Sequence, residues 1–247
     1  MASSPTESLS TAPAALRVMC ARALMEVANA VAGMFTAGAG QKVDVIFGTV
    51  GALQARLDAG EAADVLVLSA PLITRLEQSG LLLAKSSETI GSTGIVVAVR
   101  EGAPKPDIAT EASFKAALAN ARSIAFSDPA VGGSAGVYLA ALFDRMDLAD
   151  VIRRKALPQQ SGGEVARRVA EGVAEIGMTQ CSEMLAVKGV CVVGPLPAGL
   201  RNDTVYRAAV HAESSNANAA RNFIAMLIAP EAHPLLAAAG LDPPPAR

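Results

Sequence analysis

The chain has 247 residues, of which 51% are hydrophobic and 18% charged, with a formal net charge of −2. That balance excludes a disordered chain and is ample for one large domain or two modest lobes. It also argues against a nucleic-acid partner, because there is no basic run, Trp is absent and only two Tyr occur, so stacking platforms are lacking.

Met1 to Pro13 is rich in Ser, Thr, Ala and Pro, and residues 1–15 are expected to form a disordered leader. This stretch has neither the basic start nor the apolar centre of a signal peptide. A cytoplasmic location is therefore expected as written, or a periplasmic one if a signal has been removed. No apolar run approaches the ~20 residues of a membrane helix, so the chain is not expected to be embedded in a membrane.

Beyond the leader, strand-like and helix-like segments alternate, the mark of an α/β fold with largely parallel sheets. Leu16 to Cys20 reads as a strand, Leu24 to Phe35 as a helix and Val43 to Phe47 as a strand. Gly51 to Ala59 reads as a helix stopped by Gly60, and Val65 to Leu68 as a fully apolar strand. Pro71 to Ser79 fits a helix with Pro in its first turn. Ile95 to Val99 is a strand, Phe114 to Asn120 a helix and Ser123 to Phe126 a strand. A glycine-rich loop follows, then helices at Gly136 to Asp144 and Glu164 to Gly172, with a short strand from Ala174 to Met178. Helices at Asn216 to Ile228 and Glu231 to Ala239 complete the pattern. The tail 242–247, with Pro243, Pro244 and Pro245, is expected to fray. There is no internal repeat.

In open α/β sheets, ligands lie beyond the carboxyl ends of strands, beside helix N-termini. Three junctions fit. The first carries Arg22 and Ala23, the second Thr49 and Val50. The third is the loop Ser127 to Gly136, with Gly133, Ser134 and Ala135 at its end. A glycine-rich loop opening a helix exposes unpaired N–H groups to an anion, but the loop by itself reads more readily as a tight turn. It has neither a P-loop ending nor a dinucleotide fingerprint. Ser69, ending the third strand, fits a helix N-cap or a ligand contact, and Ser161 to Glu164 shares that ambiguity. Arg22, between a buried strand and an apolar helix, needs an acidic partner or a ligand carboxylate.

Metal and nucleophile signals are weak. His211 and His233 lack ligand spacing, and no metal or cofactor is expected. The three cysteines, Cys20, Cys181 and Cys191, fit no zinc or redox motif. Cys20 reads as a buried hydrophobe, and whether Cys181 and Cys191 pair is open. Glu26, Asp64, Asp128 and Glu183 are each eligible as an acid or base, or as a cap or solvated charge.

Several segments resemble one family. VIFGTVGALQARLDAG (45–60), ADVLVLSA (63–70), VAVREGAPKPDI (97–108), SDPAVGGSAGVY (127–138) and 169–177 are similar to the molybdate-binding-protein family of transporter receptors, closest to its extracellular solute-binding branch. The likeness runs in order from Leu16 to Leu241. It implies a type II periplasmic-binding fold: an α/β protein of two lobes, 16–93 with 200–241 and 94–199, closing by a hinge on a ligand between them. The family's first-loop hydroxyl falls on Arg22 and its second-loop serine on Val50, next to Thr49. Its glycine-loop backbone contact falls near Ser134 and Ala135, a further one near Gly162, and its tyrosine hydroxyl on Gln180.

Three polar contacts are thus changed, and an arginine is added. The implied ligand is a small organic anion, a di- or tricarboxylate rather than molybdate, since a guanidinium fork matches a carboxylate. An exported receptor would deliver it to an ABC permease. The same superfamily includes aconitate isomerase, so an alternative expectation is a cofactor-independent isomerase moving a proton and double bond in an unsaturated polycarboxylate. Molybdate or tungstate binding is a third.

Overall fold

The computed structural model describes residues 14–244, so the expected leader lies outside them up to Pro13, as does the tail from Pro245. Among the described residues nine strands join in one sheet. Three parallel strands begin it: β1 (Leu16–Ala21), flanked by β2 (Val43–Gly48) and β3 (Val65–Ser69). The continuous apolar run of β3 follows from burial on both faces, whereas β2 lies at the edge of the sheet and exposes Asp44. Leu16, Val18 and Cys20 enter one core with Val65 and Val67, whereas Met19 enters another with Leu66 and Leu68.

Helix α1 (Met25–Ala39) and α9 (Ala217–Ile228) cover the first of these faces, with Phe35 and Phe223 edge-on at 5.7 Å. Ala220, Phe223, Ile224 and Leu227 bury one stripe of α9 at helical spacing. Helix α1 runs past its expected end and stops at Gly40, whose φ of 67° is the left-handed cap glycine adopts readily. The other face is covered by α2 (Val50–Asp58) and α3 (Ala70–Gln78), through Leu53, Leu72, Ile73 and Leu76.

The element that organises the molecule is β4 (Glu88–Arg100), 13 residues long. Its first half, up to Gly94, pairs with β9 (Asp203–Val210), which in turn pairs with β3. From Ile95 onward it pairs with β7 (Ile176–Gln180) on one side and β8 (Val190–Pro195) on the other. The chain from β8 to β9 therefore runs back antiparallel along all of β4. These two connected strands link a lobe built on β1–β3 to one built on β5 (Ile124–Ser127), β6 (Ala156–Gln159) and β7. In the second lobe, Ile95, Val97 and Val99 face one core and Val96 and Ala98 another. This is the two-lobed type II arrangement.

Sheets that are largely parallel were expected. The sheet is mixed instead, because β4 is antiparallel to β7, β8 and β9 and β9 is antiparallel to β3. Sequence patterning misses β6, β8, β9 and the first half of β4, although β8 (VCVVGP) and β9 (DTVYRAAV) are rich in strand-forming residues. Glu88 to Gly94 reads ETIGSTG, a composition typical of turns, and is held extended by pairing with β9. The tail is anchored further than expected: Asp242 exchanges both backbone hydrogen bonds with Ser92, at 2.9 and 2.7 Å.

Asp64 belongs to this framework. Its carboxylate, on a residue only 6% exposed, accepts hydrogen bonds from the Arg17 N–H, Ser214 Oγ and Asn216 Nδ2, at 2.9, 2.6 and 3.3 Å. It pins the start of β3 to β1 and to the turn before α9. Asp64→Ala would leave three donors without an acceptor and is expected to cost about 3 kcal/mol. The unfolding midpoint should fall by roughly 6–12 °C, at ~2–4 °C per kcal/mol for a chain of this size. An unchanged thermal melt would show that water replaces this carboxylate freely.

Candidate functional site

The carboxyl ends of β1, β2, β5 and β7 and the N-termini of the helices after them converge on one small cavity of about 30 Å³ between the lobes. One lobe contributes Ala21, Arg22, Ala23, Gly48, Thr49, Val50 and Tyr206. The other contributes Ser127 and Gly133 to Ala135 at the start of α5 (Ser134–Arg145), and Gly162 at the start of α7 (Gly162–Ala170). Gln180 and Glu183 complete it from α8 (Cys181–Leu185) and the residue before it. Nine of the ten residues singled out from sequence meet here: Arg22, Ala23, Thr49, Val50, Gly133, Ser134, Ala135, Gly162 and Gln180. Ser69 is not in this wall. It stands at the N-cap of α3 but makes no side-chain cap bond.

The wall is rich in donors that lack acceptors. No side chain caps α5, whose N-cap is Gly133, so its first-turn amides are free to face an anion at the positive end of the helix. Gln180 is 3% exposed. Its Oε1 accepts from the Tyr206 hydroxyl at 2.8 Å, while its Nε2 has no partner among the described residues. A buried amide N–H₂ left unpaired is costly unless a ligand or water receives it. Tyr206 reaches this position from β9 in the opposite lobe, and burial, followed by the nearby Glu183 charge, pushes its phenol up. Position 180, where the family resemblance placed a tyrosine hydroxyl, thus carries an amide that accepts from the hydroxyl of Tyr206.

Of the four acids considered from sequence, one lies in the cavity wall. Glu183 accepts from the Gly162 N–H at 3.2 Å and from Thr179 Oγ1 at 3.2 Å. Burial raises its pKa above the ordinary carboxylate range, against the pull of Thr179, the Gly162 amide and the Arg22 charge. Gly162 has to be glycine: a Cβ there would run into Thr179 Oγ1 and the Glu183 carboxylate. Asp64 is structural, as described. Asp128 accepts from the Ala130 N–H and caps a short turn. Glu26 lies exposed in an outer pocket.

Arg22 differs from its expected environment. It is solvent-exposed, and its guanidinium makes no hydrogen bond or salt bridge with a described residue. It lines the central cavity and both outer pockets, one of about 270 Å³ and one of about 560 Å³. Ser161 does cap α7, accepting from the Glu164 N–H at 3.3 Å. Cys20 is buried with a raised pKa, and Cys181 and Cys191 are free thiols. Among the described residues no group of three or more His, Cys, Asp or Glu side chains is placed to hold a metal ion. No helix among them is long and apolar enough to cross a membrane.

The lobes touch over the cavity through backbone. The Thr49 hydroxyl caps α2 and donates to Val131 O at 2.6 Å, and the Gly51 N–H donates to Gly132 O at 3.1 Å. A Cβ on Gly51 would lie 2.9 Å from Gly132 Cα. Gly132 itself has a φ of 67°, a conformation that suits glycine. Sequence reasoning missed this contact and Tyr206 in the wall, while Ala21, Gly48 and Ser127 lie within the three expected junctions without having been singled out as contacts. The only advance signal for Tyr206 is the rarity of tyrosine in this chain.

An aconitate isomerase of a Pseudomonas species is 35% identical over 240 residues, covering 94% of this chain and 89% of that protein. A periplasmic molybdate-binding protein of Azotobacter vinelandii superposes with a TM-score of 0.77 at 21% identity, covering 93% of this chain and all of that one. The sulfate-binding protein SubI of Mycobacterium tuberculosis gives 0.74 at 19% identity, covering 94% and 87%. The two solved structures show the fold. Residues 16–242 match the family model described as bacterial extracellular solute-binding protein, and the chain belongs to that family.

Proposed function

We propose that this protein binds a small unsaturated polycarboxylate between its lobes and shifts the double bond by moving one proton, with Glu183 as the proton carrier. The observation that carries this reading is the Glu183 carboxyl in the wall of an otherwise donor-rich anion nest. An ionised carboxylate there opposes an anionic ligand, whereas a carboxyl that can take up and give back a proton has a use beside it. An allylic proton shift needs such a group, with a pKa raised toward the working pH. Ionised Glu183 would take a proton from the carbon next to a substrate carboxylate. The C–H pair would move into a new C=C bond, and the former double bond would collect the proton from Glu183 at its far carbon. Charge passed to the substrate carboxylate in between would be met by the α5 amides and Gln180 Nε2. No redox step or co-reactant is required. The relative named aconitate isomerase supports the reading.

Family membership and the backbone latch favour a second reading, a receptor for a small organic acid. The test is a proton NMR time course of the protein in deuterated buffer with cis-aconitate and, separately, trans-aconitate. Interconversion with loss of substrate C–H signal is expected. Saturation transfer to a bound acid without exchange or interconversion would reduce the protein to a receptor.

A further inference from the structure

The central cavity is too small for a polycarboxylate. A water needs about 10–15 Å³ of such space, so about 30 Å³ accommodates one carboxylate group. The rest of a longer acid must lie in an adjoining space. The pocket of about 270 Å³ shares Arg22, Ala23 and Glu183 with the cavity. It is also lined by Ser182 and Arg167, and by two further carboxylates, Glu26, which is exposed, and Glu164, which accepts from the Gln160 N–H. Ser182 is 6% exposed, and its Oγ has no partner among the described residues. Arg167 meets Glu164 only at 3.6 Å, and a Glu164 carboxylate oxygen is already taken by the Gln160 N–H at 3.0 Å. The pocket on the other side, about 560 Å³, is lined mostly by backbone and small apolar side chains and has no cation besides Arg22.

We infer that the 270 Å³ pocket is a second carboxylate subsite, in which Arg22, Arg167 and the Ser182 hydroxyl receive the far end of the substrate. The ligand class is then an acid with carboxylates on both sides of the reacting carbons. One is held by the α5 amides and Gln180 and the other by the two guanidinium groups, with Glu183 between them. This inference rests on reading the central cavity as the anion nest. It assigns Ser182 a role its burial alone does not explain, because an orphaned buried hydroxyl destabilises the empty protein.

The experiment is calorimetric titration with crotonate and glutaconate, which share a four-carbon unsaturated chain and differ by one terminal carboxylate. Wild-type protein is expected to prefer glutaconate by at least tenfold. Arg167→Ala combined with Ser182→Ala should erase most of that preference and leave crotonate affinity within twofold. Ser182→Ala alone should leave the unfolding midpoint unchanged or raised, which a merely structural hydroxyl would not do. Equal affinities for the two acids, binding of neither, or a preference that survives in the double variant would overturn the subsite. A preference lost in the variant, with no solvent exchange on any acid, would sink the isomerase reading and leave the subsite standing. Exchange without the preference would do the reverse.

Discussion

Glu183→Gln is expected to lower the rate of solvent exchange and isomerisation by roughly 10²–10⁴-fold, the usual contribution of a positioned acid–base group. The same variant should bind trans-aconitate at least as tightly as wild type. The amide oxygen can still accept from the Gly162 N–H, and a charge that opposes the ligand has been removed. Loss of rate together with unimpaired binding separates a proton carrier from a fold-supporting carboxylate. Parallel loss of both would mean that Glu183 only props up Gly162 and Thr179.

The pH dependence has a defined sign. Burial raises the folded-state pKa of Glu183, so the folded protein binds more protons than the unfolded chain between an ordinary glutamate pKa and the raised value. Its contribution to stability is complete below the unfolded pKa and is lost as pH rises through the folded one. Catalysis should run the other way, rising with pH as the carboxyl ionises. Glu183→Gln therefore matches the wild-type melt at low pH and melts no lower, or higher, at pH 8. A variant that melts lower at pH 8 would mean that the ionised carboxylate stabilises the fold.

Gly51→Ala is the second large effect. Its Cβ would meet Gly132 Cα at 2.9 Å and the carbonyl oxygens of Val131 and Gly132 at 3.3 Å. All three are backbone atoms across the cleft, so they cannot rotate away as a side chain would. The lobes must part. If closure were populated a hundredfold less, apparent affinity for the ligand would fall by about a hundredfold, because Kd scales inversely with the competent fraction. Within α2 the same change favours the helix, by at most about 1 kcal/mol. The expected signature is therefore weaker binding and a larger radius of gyration in X-ray scattering, with an unfolding midpoint equal to or above wild type. Unchanged affinity would mean that the ligand binds without the Gly51–Gly132 contact.

Much of this architecture is legible in one dimension. The apolar runs of β1 and β3 need burial on both faces, and the stripe of α9 needs a core. Strand–loop–helix junctions at Arg22, Thr49 and Ser134 put free amides at strand ends, so most of the cavity wall follows from local pattern and family likeness. The antiparallel half of the sheet does not follow. Glu88 to Gly94 has little strand signal of its own and is extended because Asp203 to Val210 supplies its hydrogen bonds.

The decisive site features come from that same long-range pairing. β9 carries Tyr206 to Gln180, turning a buried glutamine into an oriented donor. The packing of α7 on β7 and α8 distinguishes Glu183 from Asp64, Asp128 and Glu26, which sequence alone treats alike. A side chain's charge is written in its residue type. Its pKa, its unpaired atoms and the group it faces depend on burial by residues far away in the chain, and only the closed tertiary structure supplies those.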